Sequence, residues 1–276
     1  MASGTVLVTG ASTGIGEATA HHLNELGFDV VGGVRKDEDA ERLRGHGLRA
    51  VKLDFTDQAQ IGAAREELGP GPLAGLVNNA GIAVAAPLEF LPIDQLRRQL
   101  EVNLIGQVAV TQAFLPALRA AHGRIVNVGS IGGRVALPMV APYAASKFGL
   151  EGVSDSLRRE LRPQGVEVIV IEPGGVKTPI WRKGNELAGE MTDGMPPEAE
   201  RLYGAMVAAM RRQAAKIESE RGIEPRVVAE TIGEALTAAR PRTRYLVGRD
   251  AKLRAGMAKY LPDRVMDRLI ARVLAG

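Results

Sequence analysis

Three side chains supply acid–base groups without a histidine. Tyr143 and Lys147 stand four residues apart in SIGGRVALPMVAPYAASKFGLEG, residues 130–152, and Ser130 lies thirteen before the tyrosine. Four residues is about one helical turn, so phenol and ammonium would share a helix face. An unperturbed tyrosine has a pKa of ~10, too high to ionise readily at neutral pH. A nearby cation favours the phenolate, and Lys147 is spaced to be that cation. The Ser130 hydroxyl could hold a substrate oxygen while Tyr143 exchanges the proton. Taken alone, Tyr-x3-Lys is equally a buried helix tyrosine beside a lysine that reaches outward. The histidines His21, His22, His46 and His122 fall on helix surfaces or loops by pattern.

A second cluster gives the triad a context. TGASTGIG, residues 9–16, carries glycines at 10, 14 and 16 between an apolar run and a helical pattern. Glycine lets backbone approach a pyrophosphate, and a helix N-terminus favours negative charge. The spacing is G-x3-G-x-G with no following lysine, which excludes the P-loop. In a dinucleotide fold, an acid at the end of the second strand grips the ribose hydroxyls, and a base accepts a 2′-phosphate. Here Arg35 and Lys36 follow Val34, so NADP rather than NAD is expected. The alternative is that both bases are a solvated edge and Asp37 reaches the ribose. Asp54 could accept from the adenine amino group or cap a helix. Asn78-Asn79-Ala80-Gly81 follows the fourth strand, where ligands bind in parallel sheets, and its asparagines could equally pin the loop.

These residues need a scaffold. Short apolar runs at 5–9, 29–34, 49–53, 73–77, 124–128, 166–171 and 244–247 read as strands. Helical patterns fall at 15–26, 37–44, 57–68, 93–105, 108–121, 142–161 and 226–238. Strands alternating with helices imply βαβ units and a parallel sheet covered on both faces. The expected fold is α/β: a single-domain, Rossmann-like, doubly wound parallel sheet of about seven strands spanning 1–276. Residues 179–222 contain no convincing strand and are expected to be a helical substrate lid. The tail, 249–276, shows two amphipathic segments split by Pro262. Val265, Leu269 and Val273 repeat at four, as do Met266, Ile270 and Leu274. Such stripes suit packing on the protein's own core or a subunit partner, or alternatively a membrane surface or lid.

Composition narrows the class. The 276 residues are 45% hydrophobic and 24% charged, as in soluble globular proteins. No cysteine is present, which excludes disulfides and thiolate metal sites. The net charge of +3 without a run of like charges argues against a nucleic-acid partner. MASGTVLVTG is not a signal peptide, and no apolar run reaches the ~18 residues of a membrane span. A cytoplasmic location is expected, with peripheral membrane association through the tail as an addition.

TGASTGIG, NNAG, Asn103, Ser130, YAASK and PGGVKT together resemble the short-chain dehydrogenase/reductase family, in its motif order and approximate spacing over about residues 5–178. The resemblance implies a Ser130–Tyr143–Lys147 triad, with Asn103 supporting a water-linked proton relay. Tyr143 would be the acid/base, Lys147 would hold the nicotinamide ribose and depress the tyrosine pKa, and Ser130 would polarise a carbonyl. The implied cofactor contacts are Gly10, Ser12, Thr13, Gly14, Ile15 and Gly16 in the turn and Arg35 and Lys36 after the second strand. They continue through Asp54 and Phe55, then Asn79, Ala80 and Gly81, and end at Pro173, Gly174, Val176 and Thr178. Ser12 and Thr13 stand where some phosphorylated-cofactor members carry a base, so NADP preference rests on Arg35 and Lys36. The family often forms dimers or tetramers through the helices carrying Asn103 and Tyr143, and a homo-oligomer is expected. Ala144, Ala145, Gly149 and Gly152 would permit close helix approach there.

The segment ALPMVAP before Tyr143 offers Leu137 and Met139 to a substrate. The expected lid adds Trp181, Met191, Met195, Tyr203, Met206 and Met210, and such walls adapt to bulky apolar ligands. RPRTRYLVG and the tail are similar to hydroxysteroid- and retinol-dehydrogenase-like members. The expected reaction interconverts an apolar alcohol and its ketone or aldehyde with NADP and no metal. The alternatives are a 3-oxoacyl-thioester reductase, for which Arg182 and Lys183 would meet an acidic carrier, and a cofactor-binding regulator without chemistry.

Overall fold

The computed structural model describes residues 3–193 and 195–275. Met1, Ala2, Gly194 and Gly276 lie outside the described residues, as do the side chains of residues 192, 193, 274 and 275. Gly194 and Gly276 belong to the expected lid and tail, and Leu274 to one tail stripe.

Seven strands form one parallel sheet: β1 (Thr5–Thr9), β2 (Asp29–Val34), β3 (Arg49–Lys52), β4 (Leu73–Asn78), β5 (Arg124–Val128), β6 (Glu167–Pro173) and β7 (Arg244–Val247). Their order is β3-β2-β1-β4-β5-β6-β7. The chain winds outward from β1 to β3, then returns to place β4 on the other side of β1. That reversal opens a crevice at the carboxyl ends of β1 and β4, the place where open α/β sheets bind ligands.

The strands are near-continuous apolar runs because helices cover both faces. Alternate residues of β1 feed two cores. Val6 and Val8 join Leu23 of α1 (Gly14–Glu25), Leu43 of α2 (Asp37–Gly45) and Ile232 of α9 (Pro225–Thr237). Leu7 joins the opposite core with Ile61 of α3 (Gln58–Leu68) and Phe114 and Leu118 of α5 (Gly106–Ala120). Burying each such large apolar side chain contributes about 1.5–3 kcal/mol. Asp57 caps α3, its carboxylate accepting from the amides of Ala59 and Gln60.

The helix expected at 93–105 is interrupted. It begins as α4 (Ile93–Leu100), passes through a π-turn over Glu101–Ile105 and continues directly into α5. α6 (Ala141–Leu161) opens with Pro142 in its first turn, where a missing amide costs nothing. Between β6 and α9 come α7 (Ile180–Asp193) and α8 (Pro197–Lys216), the latter extended by a π-turn over Ile217–Arg221. β7 leads to α10 (Arg249–Tyr260) and α11 (Asp263–Ala275), separated at Pro262. The two tail stripes divide: Met266 and Ile270 pack with Ile131 and Val135, whereas Val265 and Val273 stay exposed. No helix of the described residues is long and apolar enough to cross a membrane.

Candidate active site

The first βα turn is built around glycines that close it onto its neighbours. Gly10 has φ +64°, and a Cβ there would stand 2.8 Å from Ala80 Cα. A Cβ at Gly16 would stand 2.2 Å from the Gly10 carbonyl oxygen and 2.5 Å from Asn79 Nδ2. Thr9 ties the turn to the loop after β4: its hydroxyl oxygen accepts from the amides of Asn79 (3.0 Å) and Ala80 (3.2 Å). Asn79 returns the bond, its Nδ2 donating to the carbonyls of Thr9 and Gly10. Arg42 of α2 donates to the Ser12 carbonyl and lies 3.7 Å from Glu17. On the helix pattern Arg42 reads as a solvated basic position, which hid its bracing of the turn.

One cavity of about 370 Å³ runs along this edge. It is lined by Gly10, Ser12, Thr13, Gly14 and Ile15 from the turn, and by Arg35 and Phe55. It is also lined by Asn79, Ala80, Gly81 and Asn103, and by Ser130, Tyr143 and Lys147. Pro173, Gly174, Val176, Thr178 and Trp181 close its far end. Gly16, Lys36, Asp54, Leu137 and Met139 are not among its lining residues. Gly16 is turned into the packing just described. Lys36 precedes α2 as its N-cap, and Asp37 pairs with Lys52 at 2.9 Å. Asp54 accepts from the Thr56 amide (3.0 Å) and hydroxyl (2.7 Å) and faces an adjoining cavity lined by Arg35, Arg97 and Arg98.

Leu137 and Met139 were expected at the substrate wall. Met139 instead has φ +67°, is buried, and uses its carbonyl to accept from the Ala86 amide at 2.8 Å. This long-range bond ties the segment to the loop that carries Ala86, and neither Leu137 nor Met139 lines the cavity. The methionine wall is also displaced. Met191 and Met195 pack with Val84, Ala86 and Leu91, while Tyr203 donates to Glu89 (2.7 Å) and Met206 is exposed. Ile180, Trp181 and Leu187 of the same segment face the cavity, joined by Ile82 and Val102, which the sequence reading missed. Arg98 lines it too; on an exposed helix face nothing in the local pattern marks it out. Arg182 pairs with Glu186 at 2.9 Å, leaving Lys183 as the basic residue of that pair on the cavity.

At the chemical end, the Ser130 hydroxyl oxygen accepts from the Gly132 amide (2.9 Å), so the serine is held at the exit of β5. Tyr143 stands in the first turn of α6 with its ring partly open to the cavity. Burial pushes its pKa up, and a hydrogen bond with Ser130 works in the opposite direction. Lys147 is not among the groups that move the Tyr143 pKa in this arrangement. The Lys147 ammonium lies 5.8 Å from the ring centroid and donates to the Val128 carbonyl at 2.7 Å. Burial lowers the Lys147 pKa to about 8, and the charge of Glu151 raises it in part. Asn103 is buried in the π-turn, its Oδ1 accepting from the Ile82 amide (2.9 Å) and its Nδ2 donating to the Ile82 carbonyl (3.0 Å) and Ser146 hydroxyl (3.2 Å). π-turns of this kind recur at functional sites.

The arrangement fits a nicotinamide dinucleotide. Thr13 at the N-cap of α1 makes no side-chain capping bond, so the first-turn amides are open to an anion. Arg35 stands at the adjacent strand end, and the cavity continues to Tyr143 and Thr178. No group of histidine, cysteine, aspartate and glutamate side chains able to hold a metal occurs among the described residues.

Comparison with known proteins agrees with this geometry. The family model for short chain dehydrogenases matches residues 4–188, and the chain belongs to that family. It is 37% identical to an NADPH-dependent 3-dehydrocapnine reductase of Ornithobacterium rhinotracheale, covering 97% of this chain and 96% of that protein. It is 39% identical to human retinol dehydrogenase 16, covering 96% of this chain and 87% of the relative. A bovine 17-beta-hydroxysteroid dehydrogenase type 6 is 37% identical, over 97% and 87%. Among solved structures, a short chain dehydrogenase of Burkholderia cenocepacia in complex with NADP superposes with a TM-score of 0.74 at 29% identity, covering 98% of this chain and 97% of that one. The chain is therefore a short-chain oxidoreductase of the hydroxysteroid- and retinol-dehydrogenase-like kind, acting with a nicotinamide cofactor on alcohols or carbonyls.

Proposed function

We propose that the protein is an NADP(H)-dependent oxidoreductase that interconverts a bulky apolar alcohol and its ketone or aldehyde, with Tyr143 as the acid/base. One observation carries the reading: a single cavity joins the uncapped start of α1, Arg35, and the Ser130, Tyr143 and Lys147 side chains. A bound nicotinamide dinucleotide supplies or accepts the hydride. The amides at the start of α1 would hold its pyrophosphate, Arg35 would meet the 2′-phosphate, and the 173–178 loop would contact the nicotinamide. Ser130 donates to the substrate oxygen, and Tyr143 gives that oxygen its proton in reduction and removes it in oxidation. A tyrosine whose pKa burial keeps high starts as the neutral acid, the form reduction needs. Lys147 holds the nicotinamide ribose, and Asn103 supports the relay that restores the proton.

Ile180, Trp181 and Leu187, beside Ile82 and Val102, support an apolar substrate, with residues 179–222 as its lid and 249–276 as a tail on a single domain. The exposed side chains of Ile105, in the π-turn that carries Asn103, and Phe148, on the helix that carries Tyr143, support a homodimer or homotetramer. A cytoplasmic protein with membrane-surface contact at the tail is supported by the exposed Leu253, Tyr260, Val265 and Val273.

The test is a fluorescence titration with NADPH and NADH, followed by a panel of steroid, retinoid and sugar carbonyls. Wild type is expected to bind NADPH at least tenfold tighter, about 1.4 kcal/mol, and to reduce apolar carbonyls. Tyr143→Phe is expected to bind NADPH as wild type does and to lose turnover. Undiminished turnover in that variant overturns the mechanism, and turnover confined to sugars overturns the substrate class.

A further inference from the structure

A buried ionic cluster lies along the same helix, beyond the groups used above. Tyr143, Lys147, Glu151 and Asp155 follow one another at four-residue spacing on α6, so they line one face. Glu151 faces two other strands, β6 and β7. Arg244 of β7 donates to Glu151 Oε2 (2.9 Å) and to Asp155 Oδ1 (2.9 Å). Glu172 of β6, fully buried, receives both Nε (2.5 Å) and Nη2 (2.8 Å) of Arg134. Arg134 follows directly on the turn begun by Ser130.

Within this cluster the second Glu151 oxygen is the anomaly. Oε1 is buried and meets no donor among the described residues. Its neighbour is the Glu172 carboxylate, whose charge acts on it. A neighbouring negative charge in low dielectric disfavours the ionised form of a carboxyl group. Burial, with the Glu172 charge next, accordingly pushes the Glu151 pKa up to about 7, against the pull of Arg244. On the other side Lys147 is 4% exposed, and its ammonium has a backbone carbonyl rather than a carboxylate as its hydrogen-bond partner.

We propose that Glu151 is a positioning residue: its carboxylate, one helical turn from Lys147 on the same buried face of α6, is the counter-charge that keeps Lys147 an ammonium at the catalytic edge. The proposal rests on Lys147 acting at the candidate site. The charged groups facing Glu151 are Lys147 and Asp155 from α6, Glu172 from β6 and Arg244 from β7, with Arg134 reaching it through Glu172. Arg134 and Arg244 are already bound to carboxylates. Lys147 is thus the cation whose protonation responds to the Glu151 charge. As pH rises through about 7, Glu151 loses its proton and its charge begins to hold Lys147, whose own proton is lost near about 8.

The test reads Lys147 directly, without cofactor or substrate. Protein labelled with ¹³C at lysine Cε is titrated by NMR, the Lys147 resonance being identified as the one missing from Lys147→Ala. In wild type the resonance should titrate near pH 8, with a smaller inflection near pH 7 as Glu151 ionises. In Glu151→Gln the small inflection should vanish and the midpoint should fall by about half a pH unit or more. The alkaline limb of kcat against pH should move the same way. A purely structural clamp would move neither. An unchanged Lys147 midpoint in folded Glu151→Gln overturns the proposal. Should that variant fail to fold, absence of the inflection near pH 7 in wild type overturns it instead. A failure of the oxidoreductase reading shows elsewhere, as turnover that survives Tyr143→Phe.

Discussion

Replacing Arg134 by methionine tests the ionic cluster as a structural element. Glu172 is fully buried, and its two oxygens accept from two nitrogens of Arg134 at 2.5 and 2.8 Å. Methionine preserves much of the stem but leaves the carboxylate without its partner. Breaking a buried pair from one side costs about 3–5 kcal/mol. Arg134 is itself 35% exposed, so water can enter where its guanidinium stood, and the low end, about 3 kcal/mol, is expected. In urea, with a slope of about 2–3 kcal/mol per molar, the midpoint should fall by roughly 1–1.5 M. Equilibrium denaturation of wild type, Arg134→Met, and Arg134→Met with Glu172→Gln is the assay. The second substitution removes the stranded charge and should recover about half of the loss or more. A single variant within about 0.5 kcal/mol of wild type, or a double variant as unstable as the sum of its parts, would refute the reasoning.

Further outcomes follow from the same geometry. Arg35→Ser should weaken NADPH at least tenfold while leaving NADH within about threefold, read by nicotinamide fluorescence. Gly16→Ala should abolish cofactor binding with the sheet intact, because its Cβ would lie 2.2 Å from the Gly10 carbonyl; circular dichroism and a thermal shift without and with NADPH separate the two effects. Trp181→Ala removes both the indole on the cavity wall and its 2.7 Å bond to the Val176 carbonyl. It should raise KM for apolar carbonyls several-fold more than for small ones.

Much of the scaffold was legible because both faces of the sheet are covered. TVLVT, DVVGGV, RIVNV and RYLV are predominantly apolar, and the strands fall on those runs. The glycine turn and the Ser130, Tyr143 and Lys147 spacing could be read for the same reason: local backbone sets them. What escaped depends on tertiary contact. The π-turn around Asn103 escaped because one added residue shifts the apolar pattern by a single position, too little to stand out over five residues between two helices. Met139 looks like a free apolar side chain until the Ala86 amide takes its carbonyl. Lys147 looks like the partner of Tyr143 by spacing, yet its rotamer carries the ammonium to Val128. Arg98 comes to the cavity from a helix with no motif, and Ile82 from the position just past NNAG, where the motif itself ends.

The start of the tail has a consequence for how the protein opens. Asp250, the second residue of α10, accepts from the Gly175 amide at 2.9 Å, and its carboxylate lies where a Cβ on Gly174 would have to stand. A loop on the cofactor cavity and the C-terminal helices are therefore latched across 75 residues of chain. They should breathe as one cooperative unit, with the Gly175 amide exchanging its hydrogen only as fast as α10 lifts. Cutting the chain before residue 249 would then loosen the cofactor cavity from its far end, without touching a residue that lines it.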